Sequence, residues 1–195
     1  MKIIIIGPMG SGKSTIAELL AQHYQIPYID LDSLRKEYYT KMEGYHRNDE
    51  QQAAMDSNPL ALHLYYEPFE TKQVEQVLHD YPSGVFDYGG GHSIKNEPYF
   101  STLQRLLRHE KLVFFLTYSK NKEETKQALA QREGSETWAN VYRSLNDYFI
   151  DSNCNNLLAK YVLYRKQKSR EQICKEMIQI IDKVMHLDKT NSLTK

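Results

Sequence analysis

A three-layer αβα sandwich around a five-stranded parallel sheet is the architecture this sequence predicts, and two observations carry that expectation. Strand-like apolar runs alternate with helical patterns along the chain, as they must when parallel strands are joined by helical crossovers. The first run, Ile3-Ile4-Ile5-Ile6, opens directly into Gly7-Pro8-Met9-Gly10-Ser11-Gly12-Lys13-Ser14, a complete G-x-x-x-x-G-K-S phosphate loop, with a helical pattern over Thr15 to Tyr24 behind it. Four consecutive isoleucines suit a strand buried on both faces, at the centre of a parallel sheet.

The remaining elements follow in order. The helix after the loop carries Ile16, Leu19 and Leu20 on one side, and a short second strand runs from Pro27 to Asp30. Residues 33–81 form a polar, tyrosine-rich helical excursion without a convincing strand, and Phe69, Val74, Val77, Leu78 and Tyr81 bring a helix back to the sheet. Val85-Phe86-Asp87-Tyr88 reads as the third strand and ends at Gly89-Gly90-Gly91; Leu112 to Thr117 is the fourth and Tyr161 to Tyr164 the fifth. Helical patterns cover 120–132 and 138–149, with a polar lid-like turn at 132–138. The last helix is set by its period, since Ile173, Met177, Ile180, Ile181 and Val184 share one face. The expected organisation is one domain over 1–186, containing the helical insertion and the lid, and a flexible tail over 187–195.

Composition narrows the partners. The net charge is zero, with nine acidic residues against Lys72 and Lys95 between Asp49 and Glu97, and five basic residues with no acid between Lys160 and Arg170. These read as solvated faces, and the basic run is too small for a broad nucleic-acid surface. Cys154 and Cys174 have no metal or redox spacing and are expected to be free thiols of a cytoplasmic protein. No stretch has the length of a membrane span. The expected partner is a small-molecule acceptor, with no nucleic acid, no membrane and a monomeric chain.

The phosphate loop sets the chemistry. Its glycines turn backbone N–H groups inward at phosphate oxygens, and the helix behind adds its dipole. Gly7, Gly10, Ser11, Gly12, Lys13, Ser14 and Thr15 are therefore the residues expected to hold ATP, with Lys13 on the β- and γ-phosphates and Ser14 on Mg2+. In such a sheet ligands sit beyond the carboxyl ends of the strands, where residues 30–35 and 87–93 also fall. Asp30 and Asp32, one residue apart on a strand, are expected to point the same way. Asp30 is a candidate magnesium carboxylate, and so is Asp87 at the end of the third strand. Asp32 is the candidate general base for an acceptor hydroxyl, its ordinary alternative being a helix N-cap. Arg35 and Arg143 are candidate acceptor contacts, and Arg132 in the lid is placed to stabilise charge on the transferring group. Gly89, Gly90 and Gly91 form a side-chain-free platform for the acceptor. His92 follows them as a weaker candidate, expected to face solvent. Tyr38, Tyr39, Tyr45, Tyr65 and Tyr66 pack the helical cap or line the acceptor pocket.

The phosphate loop, the Asp30-x-Asp32 pair, the triple glycine and a terminal strand–helix unit, in that order, resemble the shikimate kinase family. The resemblance implies a P-loop NTPase fold of the nucleoside-monophosphate-kinase type. It also implies ATP- and magnesium-dependent transfer to an alcohol acceptor, with Asp30 serving the metal, Asp32 meeting the acceptor hydroxyls and Gly89 to Gly91 flanking the acceptor. Three positions depart from the family. Glu70 after Phe69 stands where the family has an arginine for the substrate carboxylate, Glu133 follows Arg132 in place of a proline, and Asp87 precedes the glycines. The piece Phe86 to Ser93 is similar instead to divergent bacterial proteins labelled shikimate kinase-like or ATPases. Glu70 is thus expected to repel a carboxylate acceptor. Two other functions fit the loop: a nucleotide or nucleoside kinase, from the stretch Asp32-Ser33-Leu34-Arg35, and an ATP-binding regulatory protein.

Overall fold

The computed structural model describes residues 1–48, 58–131 and 136–193, with side chains described except at 136–141, 188, 189 and 191–193. Five strands, β1 (Lys2–Ile6), β2 (Tyr28–Asp30), β3 (Gly84–Asp87), β4 (Val113–Thr117) and β5 (Tyr161–Tyr164), form one parallel sheet in the order β2-β3-β1-β4-β5. The isoleucine strand β1 lies at the centre, and Ile3, Ile4, Ile5 and Ile6 are fully buried, as a strand covered on both faces requires. The predicted P-loop sandwich is the fold observed.

Helices α1 (Lys13–Tyr24) and α8 (Arg170–Leu193) cover one face of the sheet. Ile16 and Leu20 of α1 pack with Ile173, Met177 and Ile181 of α8 against Ile3, Ile5 and Phe114. The other face carries α2 (Leu31–Tyr39), α3 (Pro59–Asp80), α4 (Tyr99–Leu107) and the short α7 (Cys154–Leu158). There Val74, Val77, Leu103 and Leu107 pack on Ile4, Ile6 and Phe86. Helices α5 (Lys122–Ala130) and α6 (Glu136–Asp151) follow β4.

Two elements differ from expectation. Helix α4 arises where no element was expected: Phe100, Leu103 and Leu107 are buried at helical spacing, a short amphipathic stripe flanked by polar residues. Helix α8 runs to Leu193, so residues 187–193 continue a helix where a tail was expected, since polarity alone does not break a helix that has no Gly or Pro. Among the described residues, none between 33 and 81 forms a strand.

The register of the sheet places the site. Ile5 on β1 pairs with Asp87 on β3, and Asp87 pairs with Asp30 on β2. Asp30, Asp87 and the start of the phosphate loop therefore emerge side by side at the carboxyl edge of the sheet.

Candidate active site

Helix α1 begins at Lys13 behind Gly12, with no side-chain cap and no acidic residue in its first turn. Its first N–H groups are left for a ligand, and its dipole favours an anion there. Gly12 has φ 93°, a left-handed conformation that favours glycine, and a Cβ there would fall 2.3 Å from Arg165 Nη1. Arg165, the residue after β5, donates to the Ser11 carbonyl at 3.2 Å and so braces the loop from outside. On the other side Asn146 of α6 accepts from the Met9 N–H at 2.9 Å and donates to the Met9 carbonyl at 3.2 Å. Lys13 is buried and donates to the Pro8 carbonyl at 2.9 Å. Burial lowers its pKa, opposed by the carboxylates of Asp87 and Asp32.

The two candidate metal carboxylates are placed differently. Asp30 caps α2: Oδ1 accepts from the Asp32 N–H at 3.0 Å and Oδ2 from the Ser33 hydroxyl at 2.5 Å. The capping role considered for Asp32 thus belongs to Asp30. Because α2 starts at Leu31, Asp32 sits on a helix, and the strand alternation that would have aligned it with Asp30 does not apply. Asp87 is buried, accepts from the Tyr28 hydroxyl at 3.1 Å through Oδ2, and has a buried Oδ1 with no partner. Burial raises its pKa, opposed by the Lys13 charge and by the nearby hydroxyls of Ser14 and Tyr28. An orphaned carboxylate oxygen beside Ser14 and Lys13 fits a cation held together with phosphate oxygens. Among the described residues no group of three or more His, Cys, Asp or Glu gathers to hold a metal.

Asp32 stands beside Gly89, where a Cβ would fall 2.3 Å from Oδ1. Arg35 Nη2 holds Oδ1 at 2.9 Å and reaches Glu70 Oε1 at 2.8 Å, with the guanidinium 5.7 Å from the Tyr66 ring centroid. Glu70 is buried and also paired with Lys95 Nζ, which donates to the Gly91 carbonyl at 2.6 Å as well. Burial alone would favour the neutral acid, but Lys95 and Arg35 hold its carboxyl well below the usual range. The expectation that Glu70 faces an acceptor as a bare negative charge is therefore corrected: two cations neutralise it within the protein.

A cavity of about 730 Å³ opens over Asp32 and Arg35, walled by Tyr39, Tyr45 and Tyr66 with Lys36 and Arg47 at its edge. A second of about 260 Å³ continues past Gly90 and Gly91 to His63 and Phe149, sharing Asp32, Arg35 and Tyr66 with the first. Three of the five cap tyrosines, Tyr39, Tyr45 and Tyr66, line the larger cavity. Tyr39 packs on Tyr45, Tyr66 and Phe69 with ring centroids 5.3, 5.8 and 6.0 Å away, while also lining the cavity. Tyr38 instead bonds Asp80 at 2.9 Å, and Tyr65 bonds the His46 carbonyl at 2.9 Å.

His92 is corrected outright: it is fully buried, because the turn after Gly91 folds it back under α3 onto Gln73, at 3.0 Å. Burial lowers its pKa to about 4, so the imidazole is neutral. Arg143 is exposed and lines neither cavity, whereas its neighbour Tyr142 lines both. Arg132, with residues 132–135 of the lid, lies outside the described residues. Arg165, Asn146, Lys95, Gln73 and His63 were not singled out from sequence. Arg165 follows the carboxyl end of a strand, the same rule that marked Asp87. Lys95 is one of only two cations in the acidic segment.

A family model described as shikimate kinase matches residues 9–53. The shikimate kinase of Dictyoglomus turgidum is 26% identical over 155 residues, covering 71% of this chain and 76% of that protein. Among solved structures, shikimate kinase from Acinetobacter baumannii in complex with shikimate superposes with a TM-score of 0.61 at 18% identity, covering 92% of each chain. A gluconokinase from Sinorhizobium meliloti gives 0.57 at 14% identity, covering 98% of this chain and 97% of that one. In sequence and in fold the chain is shikimate kinase-like, as a divergent relative.

Proposed function

We propose that this protein is an ATP- and magnesium-dependent kinase that transfers a phosphoryl group to a hydroxyl of a small metabolite. One observation carries the reading: Asp32 lines both cavities, and the smaller of them is lined as well by Met9 of the phosphate loop. The loop N–H groups and Lys13 bind and orient the triphosphate. Ser14 and Asp87 would hold magnesium, which when bound screens charge on the transferring group. Asp32 takes the proton of the acceptor hydroxyl, with Arg35 fixing the carboxylate. The kinase relatives support the transfer chemistry.

The acceptor follows from charge. Arg35 and Lys95 are both paired with Glu70 inside the protein, so among the described residues of the cavity a carboxylate beside Asp32 is left to Lys36 and Arg47, which do not bond Glu70. Shikimate is accordingly a poor acceptor. A nucleotide acceptor is the second reading, favoured by the three tyrosines with Lys36 and Arg47 around a cavity of about 730 Å³. Release of ADP from Mg–ATP, followed with shikimate, gluconate, neutral polyols and nucleoside monophosphates, separates these readings, and Lys13→Ala abolishes all release. ATP binding without transfer to any of them favours the regulatory alternative. A shikimate KM in the range of about 1 μM to 1 mM with turnover near ~10 per second makes shikimate the acceptor.

A further inference from the structure

Behind Asp32 lies a chain of buried groups whose hydrogen bonds orient one another. Gln73 donates through Nε2 to the Leu31 carbonyl at 2.8 Å, which turns its Oε1 to His92 Nε2, 3.0 Å away. An amide oxygen only accepts, so the His92 proton sits on Nε2. Nδ1 then carries a lone pair. It is buried without a hydrogen-bond partner, and Asp32 Oδ1 faces it at 3.7 Å.

Two lone-pair atoms in that arrangement repel while the carboxyl group is ionised. They become donor and acceptor once the carboxyl carries a proton. We propose that His92 is a positioning residue for Asp32: a neutral imidazole, locked by Gln73, whose Nδ1 accepts the hydrogen bond of the Asp32 carboxyl group after proton transfer. The inference rests on Asp32 being the base. In the transfer step the acceptor oxygen bonds to the γ-phosphorus as its proton passes to Asp32. The bond from phosphorus to the bridging oxygen breaks, and its electron pair leaves with ADP. The proton stays on Asp32, held from behind by Nδ1. A charged imidazole is not formed, because burial strongly disfavours it. Gly89, with no side chain to displace the carboxylate, and Arg35, on its Oδ1, keep Asp32 where Nδ1 can receive it.

The test is nitrogen NMR of the full chain labelled with 15N-histidine, near neutral pH and without nucleotide, with His92 assigned by loss of its signals in His92→Gln. His92 is expected as the Nε2–H tautomer with Nδ1 unprotonated. Asp32→Asn combined with Arg35→Met, which frees the Oδ1 position from the guanidinium so that the amide can turn its N–H to Nδ1, is expected to move Nδ1 upfield, the sense of a newly accepted hydrogen bond, and Asp32→Ala in the same background is not. An Nδ1–H tautomer or an imidazolium in the parent protein overturns the proposal, and so does an Nδ1 signal indifferent to the Asp32→Asn, Arg35→Met double variant. None of these readouts needs an acceptor. If the tautomer and its response hold while no acceptor supports ADP release, the kinase reading has failed separately.

Discussion

A Cβ at Gly89 would fall 2.3 Å from Asp32 Oδ1 and 2.4 Å from Oδ2, closer than non-bonded atoms approach. The side chain of aspartate is short, so the carboxylate must swing away from both Arg35 and His92 to admit it. Gly89→Ala is therefore expected to lower acceptor-dependent kcat by about a hundredfold or more, the usual loss when a general base is misplaced. ATP affinity is expected to stay the same, because the phosphate loop is untouched. Steady-state kinetics beside calorimetric ATP titration checks this, and an equal fall in ATP affinity would assign Gly89 to the frame of the loop instead. From sequence the triple glycine suggests bare N–H groups turned to a ligand, whereas the glycines here admit protein side chains: Asp32 at Gly89, Met9 at Gly90 and His63 at Gly91. A glycine run reports close approach without reporting by what.

Helix α3 shows what a hydrophobic pattern reveals and what it conceals. Val74, Val77 and Leu78 marked it as a helix returning to the sheet, and they are buried. The same helix buries His63, Glu67, Glu70 and Gln73, polar side chains that periodicity analysis sets aside as solvent-facing. Their positions, separated by three or four residues, were legible as one stripe, but its burial was not, because the cation that permits it, Lys95, comes from a turn 25 residues on. The five strands were legible because each is a local run; the network around Asp32 was not, because it is assembled from α2, α3 and the turn after β3. Lys95→Met should destabilise the fold by about 3–5 kcal/mol, the usual loss when one partner of a buried pair is removed. Adding Glu70→Gln should recover most of it by removing a buried charge that Arg35, shared with Asp32, is left to balance alone. Urea unfolding of the single and double variants measures the coupling. A double variant no more stable than Lys95→Met alone would show that packing of the lysine stem, not charge pairing, supports the helix.

At the scale of the whole molecule the buried histidines set a pH dependence. Burial lowers both His63 and His92 from 6.5 to about 4, so each is neutral in the folded chain where it is protonated in the unfolded one. Between those values the unfolded state binds more protons. Their stabilising contribution is fully present above about pH 6.5 and is lost as the pH falls toward 4, at up to ~1.4 kcal/mol per pH unit for each histidine. Asp87, pushed up by burial, works in the opposite sense and offsets part of the fall. Glu70, held low by Lys95 and Arg35, loses its contribution only below the ordinary carboxylate range. Urea unfolding free energies at pH 8, 6.5 and 5 should therefore change little over the first step and drop over the second. His92→Gln, which keeps a group able to bond Gln73 but cannot take up a proton, should flatten that drop by about half, leaving the share of His63. A profile as steep in the variant as in the parent would mean that His92 is protonated in the folded chain. It would then be a cation paired with Asp32 across 3.7 Å, not a neutral acceptor behind it.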